Sequence, residues 1–184
     1  MVKKHPVWFP GAIYHVSCFG TWNESIFFDE KDYIYYLSSV ENVRYQFPFY
    51  LHSYCLTSHQ VHLLIETIHV PLQDVITSIN SEYLHYFQDK YPCLLEPTHH
   101  DFATLIDSVA SFLKASRSIH LASIGHSQEL KDYRWSSYPS FISKIPNDHV
   151  VTSRVLTYFQ CPKMDNYALF VEGEEFEAKF IYHC

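Results

Sequence analysis

The sequence predicts an α+β fold, a four-stranded antiparallel sheet with helices packed on one face, and three observations carry that prediction. Residues Gln60–Thr67 alternate with period two, placing Val61, Leu63 and Ile65 on one face and Gln60, His62, Leu64 and Glu66 on the other. Tyr33, Tyr36, Leu37 and Val40 recur at i, i+3, i+4 and i+7, the spacing of one helical face. Segments of these two kinds follow one another along the chain in the order β-α-β-β-α-β-α.

Each element has a local cause. Residues 12–19 form the first strand, and Asp29 is placed to cap the helix that follows. Strands at Phe49–Leu56 and Gln60–Thr67 are joined by a short turn containing Ser58. Pro71 suits the first turn of a second helix, which runs to about residue 88 and buries Leu72, Val75, Ile76, Ile79 and Tyr83. A short strand at 102–106 and a helix capped by Asp107 complete the order of a ferredoxin-like plait. One domain is expected over residues 1–184, large enough to bury about 70% of the surface its unfolded chain exposes. Within it, the stretch from about 135 to 184 reads as a C-terminal cover, punctuated by Pro139, Pro146 and Pro162 and ending in a small helix at 167–172. No repeats or low-complexity tracts interrupt the chain.

Composition narrows the function. Lys and Arg total 13 against 20 Asp and Glu, a formal charge of -7, which is a poor balance for gripping a phosphate backbone. The deficit is also local, since no Lys or Arg falls between Arg44 and Lys90. Five widely spaced cysteines with no C-x-x-C pair suggest neither a disulfide framework nor a zinc site. The N-terminal stretch has basic residues but no apolar core, and no run reaches the ~20 residues of a membrane span, so a cytoplasmic location is expected. Aromatic residues make up 17% of the chain, yet Tyr33, Tyr36, Tyr83 and Tyr86 have helical spacing and few cations nearby, which points to packing or a subunit interface. Trp22, in the loop after the first strand, is the exception and a candidate for stacking on a base.

A specific resemblance arises at residues 54–67, YCLTSHQVHLLIET. This segment is similar to the signature strand of the HUH single-tyrosine transposases, in particular the REP-associated tyrosine transposases, which read roughly Y-C-L-M-S-N-H-V-H-L-L-I-E-T. GAIYHVSCFG at 11–20 resembles the family's first strand, SIFFDEKDY at 25–33 the start of its first helix, and DYRWSSYPSF at 132–141 its D-Y-P-W-S-S-Y segment. The likeness spans roughly residues 8 to 172 in one order, far more than a lone motif. It implies a protein that recognises single-stranded or hairpin DNA, commonly as a dimer. It also implies a divalent metal, magnesium or manganese, held by two strand histidines and a polar residue from a helix, beside a tyrosine that attacks the phosphorus. Histidines at i and i+2 leave the same face of a strand, as shared ligation requires.

The chain departs from that pattern at the decisive positions. His62 matches the second histidine, but Gln60 stands where the first belongs and His59 is displaced one place upstream. The family's Y-I-H-L-N-P aligns with Ser118, Ile119, His120, Leu121, Ala122 and Ser123, so Ser118 occupies the nucleophile's place and Ala122 that of the helix ligand. No tyrosine occurs between Tyr91 and Tyr133, and a bare serine without an adjacent base is a weak nucleophile. His120 lies two residues from Ser118, on a different side of a helix. Loss of a nucleophile lowers turnover by about a million-fold, so the sequence reads as an inactive or impaired relative of the transposases. Basic positions are altered too: the family's R-G-N-N-R loop reads Phe19, Gly20, Thr21, Trp22, Asn23, and its G-H-L-F-Q-G-R-Y stretch is replaced by LLEPTHHDF at 94–102.

Competing readings follow from the same residues. A lone strand histidine such as His62 is as well explained by a satisfied polar contact as by a ligand. Gln60 offers an amide oxygen, which suits hard cations such as magnesium but is a poorer ligand than imidazole for manganese. His15 and His52 are further possible neighbours of His62, and His99 and His100 read as a solvated loop pair. Lys114 and Arg117, three apart on one helical side, are candidates for contacting a phosphate. The alternatives to a non-cutting DNA-binding protein are an interaction or dimerisation module on the same scaffold, and an active nuclease using a rearranged site of His59, Gln60 and His62.

Overall fold

The computed structural model describes residues 7–20, 25–93, 99–127 and 129–173. Its sheet contains β1 (Ile13–Gly20), β2 (Phe49–Leu56), β3 (Gln60–Thr67) and β4 (His99–Ile106), with helices α1 (Glu30–Gln46) and α2 (Leu72–Lys90) in the connections. All pairings are antiparallel and the spatial order is β2-β3-β1-β4, so the element order and strand order are those of the ferredoxin-like plait.

The first face of the sheet is built as the pattern dictates. Tyr14, Val16 and Cys18 of β1 join Val61, Leu63 and Ile65 of β3 beneath α1 and α2, which contribute Tyr36, Leu37, Val40, Val75, Ile79 and Tyr83. Asp29 caps α1, accepting from the Lys31 and Asp32 backbone N–H groups, while the Asp32 carboxylate reaches back to the Asp29 N–H at 3.1 Å. This reciprocal box satisfies donors that a helix start leaves unpaired. Asp32, buried, also accepts from Phe28 N–H, the Tyr86 and Tyr91 hydroxyls and Lys90 Nζ, tying the start of α1 to the end of α2. The helical tyrosines are accordingly packing residues: Tyr36 and Tyr83 are buried, and Tyr35 stacks on Tyr86 at 3.9 Å.

The second face corrects the expectation of helices on one side only. Helix α3 (Val109–Leu121) and three short helices, α4 (Tyr138–Ile142), α5 (Thr152–Leu156) and α6 (Lys163–Glu172), close over Cys55 and Leu64 to form a second core with Phe112, Leu113 and Ile119. The physical reason is Leu64: it shares its face with His62 yet is apolar and fully buried, so that face cannot all be left to water. The C-terminal cover also seals the outer edge of β2. Leu56 N–H donates to Trp135 O at 2.9 Å, Ser137 N–H to Tyr54 O at 3.0 Å and Val151 N–H to Leu51 O at 2.9 Å. These bonds satisfy an edge that would otherwise present a row of unpaired groups.

Other differences are local. β4 begins at His99, three residues before the expected 102, so His99 and His100 open a strand and are not a loop pair. Ser108, not Asp107, caps α3 by accepting from Ser111 N–H; Asp107 takes the Ser111 hydroxyl. His52 is the extra residue of a bulge between Leu51 and Ser53: alternation from Leu51 puts it on the second face, where it meets Glu66 at 2.8 Å, and the bulge keeps Ser53 on that face too, opposite Leu64. Among the described residues no helix is long and apolar enough to cross a membrane.

Candidate functional site

The part of the second face that α3 leaves uncovered lies over β3, β1 and β4. Register sets its rows: Ser17 pairs with His62 on one side and Phe102 on the other, Phe19 pairs with Gln60, and His15 lies between Leu64 and Thr104. Because β1 alternates, the burial of Tyr14, Val16 and Cys18 sends His15, Ser17 and Phe19 to this face.

His62 is the centre of the group, and both its ring nitrogens are engaged. Nε2 lies 3.1 Å from Gln60 Oε1 and Nδ1 lies 3.1 Å from Ser17 Oγ. The amide oxygen can only accept, which places the ring proton on Nε2 and makes Nδ1 the acceptor of the Ser17 hydroxyl. Ser17 Oγ in turn lies 3.5 Å from His15 Nε2, and the two imidazole centroids are 5.7 Å apart. Burial drives the His62 pKa down to about 4, with the neighbouring His15 adding to the effect, and burial lowers that of His15 as well. Both rings are therefore neutral at pH 7.

This donor set does not fit the divalent metal that the resemblance implies. His62 and Gln60 do come together, but as partners of each other, with the amide oxygen on the imidazole nitrogen instead of beside it. His59, in the turn before β3, is not among the neighbours of His62; its buried Nδ1 has no partner among the described residues. No group of three His, Cys, Asp or Glu side chains that could hold a metal occurs among the described residues.

The nucleophile position fares no better. Ser118 is exposed on α3, whereas Ser116, Ile119 and His120 are buried on its inner side. Among the described residues the partners of His62 are Ser17, Gln60, His15 and Phe19, none of them a tyrosine. Four buried tyrosine hydroxyls elsewhere are committed to the scaffold: Tyr14 to Val7 O, Tyr83 to Ile26 O, Tyr133 to Leu56 O and Tyr138 to Glu172. Burial raises the pKa of each of these four, the opposite of what activates a phenol. Arg117 donates to Phe170 O and Gly173 O, capping the end of α6, and Lys114 is exposed. Trp22 lies outside the described residues.

His120 belongs to a buried polar chain. Ser137 Oγ donates to Tyr54 O at 3.2 Å and so accepts from His120 Nε2 at 2.8 Å; His120 Nδ1 then accepts from Tyr167 Oη at 2.8 Å. Tyr167 accepts from Ser116, which accepts from Ser53 of β2. Every donor has one consistent direction, and His120, its pKa pushed down to about 3 by burial, stays neutral. The chain fastens the C-terminal cover to the sheet.

Sequence reasoning named His62, Gln60 and His15 but missed Ser17, Phe19 and Phe102. The alternation of β1 was the available signal for the first two. For Phe102 it was register, which no single strand reveals.

With this geometry in view, the chain is similar to the solved structure of a REP-associated tyrosine transposase bound to a REP hairpin. The TM-score is 0.65 at 10% identity, over 82% of this chain and 98% of that one. It also matches a putative transposase from Deinococcus radiodurans R1 at a TM-score of 0.41 and 15% identity, over 61% and 93% of the two chains. No known family's sequence model matches, and no curated protein matches. At such low identity the first likeness establishes a transposase-like fold.

Proposed function

We propose that this chain is a DNA-binding protein of the REP-associated tyrosine transposase kind that recognises single-stranded or hairpin DNA and does not cut it. The observation that carries the proposal is the pair of contacts on His62: on a transposase-like scaffold, the retained histidine gives one nitrogen to Gln60 and the other to Ser17. The hairpin in the neighbour's complex supports DNA as the ligand. The exposed Ser118 at the nucleophile's place and the raised pKa values of the four buried tyrosines support the loss of cutting.

The test is incubation with hairpin DNA and manganese, reading binding and denaturation-resistant adducts together. Binding without an adduct is expected. An adduct would mean an active site rebuilt from other residues, and absence of binding would turn the acidic chain, charge -7, into an interaction or dimerisation module. Its place as one domain over 1–184, its cytoplasmic location and its oligomeric state are parts of the same proposal.

A further inference from the structure

Phe102 lies in the fourth position of β4, on the same face as His62, and is 64% exposed. Phe19 meets it edge-on with centroids 6.1 Å apart, and Phe19 meets the His62 ring edge-on at 5.9 Å. Three aromatic rings thus cross the sheet from β4 through β1 to β3, outside the area covered by α3. We propose that Phe102 is a stacking platform for one unpaired nucleobase, with Phe19 holding its ring in place and the Gln60 amide set to meet a base edge. This deepens the DNA-binding reading and rests on it.

Chemistry selects the occupant. A base brings a π face and an edge of neutral donors and acceptors, and this surface presents the same two things: an exposed phenyl ring beside Ser17, Gln60 and neutral imidazoles. The nearest carboxylate in sequence, Asp101, points to the other face, where it accepts from Asn80 of α2. Arg117, one of the two expected phosphate contacts, is committed to the end of α6. An affinity built on stacking also reconciles DNA binding with a chain short of cations, because a stacked base releases no counterions. Antiparallel sheets carrying aromatics on an open face bind unpaired bases by this means elsewhere.

The experiment compares the full chain with its Phe102→Ala and Phe102→Trp variants, using a fluorescent hairpin with a single-stranded extension and the same hairpin without it. Phe102 is exposed, so neither variant should disturb folding, which thermal melts verify. The proposal expects Phe102→Ala to weaken binding of the extended hairpin by roughly ten- to a hundredfold while changing that of the blunt hairpin little. Phe102→Trp should retain affinity, with its indole fluorescence quenched on binding. Wild-type binding that neither substitution alters would overturn the platform and leave the DNA-binding reading standing. Failure of the wild-type chain to bind either hairpin would overturn both. If Phe102→Ala instead changes the mass measured by sedimentation, the face is an interface between copies of this chain and the platform is wrong.

Discussion

Gln60 Oε1 stands 3.1 Å from His62 Nε2, so the residue two places before the histidine occupies a nitrogen that a metal would need. Imidazole is the better ligand for manganese than an amide, and a second histidine at this position would compete for metal instead of for its neighbour. Gln60→His is therefore expected to raise manganese affinity by about tenfold or more over a wild-type chain that shows little. Isothermal titration of both proteins with manganese checks this, and equal affinities would count against the account of Gln60.

Acid should weaken the fold through His120. Its pKa is about 3 when folded and about 6.5 when unfolded, so below pH 6.5 the unfolded chain takes up a proton that the folded one refuses. Stability is complete above pH 6.5 and is lost as pH falls toward the folded value, by up to about 1.4 kcal/mol per pH unit from this residue. His62, at about 4, adds in the same direction. Urea denaturation from pH 7 to 4 should show the slope, and His120→Gln should make it shallower by roughly 1 kcal/mol per unit, even though that variant is less stable at pH 7.

Tyr167→Phe removes one oxygen from the buried chain. It leaves His120 Nδ1 without its donor and Ser116 without its acceptor, and the cost should be about 1–3 kcal/mol. Because the phenyl ring remains packed on Phe141 and Phe159, the loss reports hydrogen bonding and not volume. Chemical denaturation at pH 7 measures it.

Asp32→Ala should be more costly still. Burial alone would raise the pKa of this carboxyl, but Lys90 and the Phe28 and Asp29 amides hold it below the ordinary value. Removing it strands these donors and both tyrosine hydroxyls where α1 meets α2, for an expected loss of about 3–5 kcal/mol. Asp29→Ala, at the exposed partner of the same lysine, should cost less, mostly through the lost cap. The urea midpoints of the two variants rank them.

Periodic elements were the legible part of this fold. β2 and β3 fall where alternation and the Ser58 turn put them, and α1 begins at its Asp29 cap. The sequence pattern leaves β4 short because His99, His100 and Asp101 carry no apolar alternation; pairing with β1, a contact distant in sequence, makes them a strand. Gln60 and His62 were legible as neighbours from their i, i+2 spacing. That they bond each other, with Ser17 completing the ring, depends on rotamers and on the β1–β3 register. The cover on the second face was signalled by one residue, Leu64, in an otherwise polar row.

The hydrogen bonds along the outer edge of β2 have a consequence for how the molecule comes into being. Tyr54 finds Ser137 across 83 residues of chain, so during synthesis β2 emerges long before the segment that completes it. Until then the nascent plait exposes a ready template for another polypeptide, and closure over so long a loop is intrinsically slow. The last third of this chain thus supplies the edge partner that the first third lacks, and arrives late to the place where a stranger would otherwise bind.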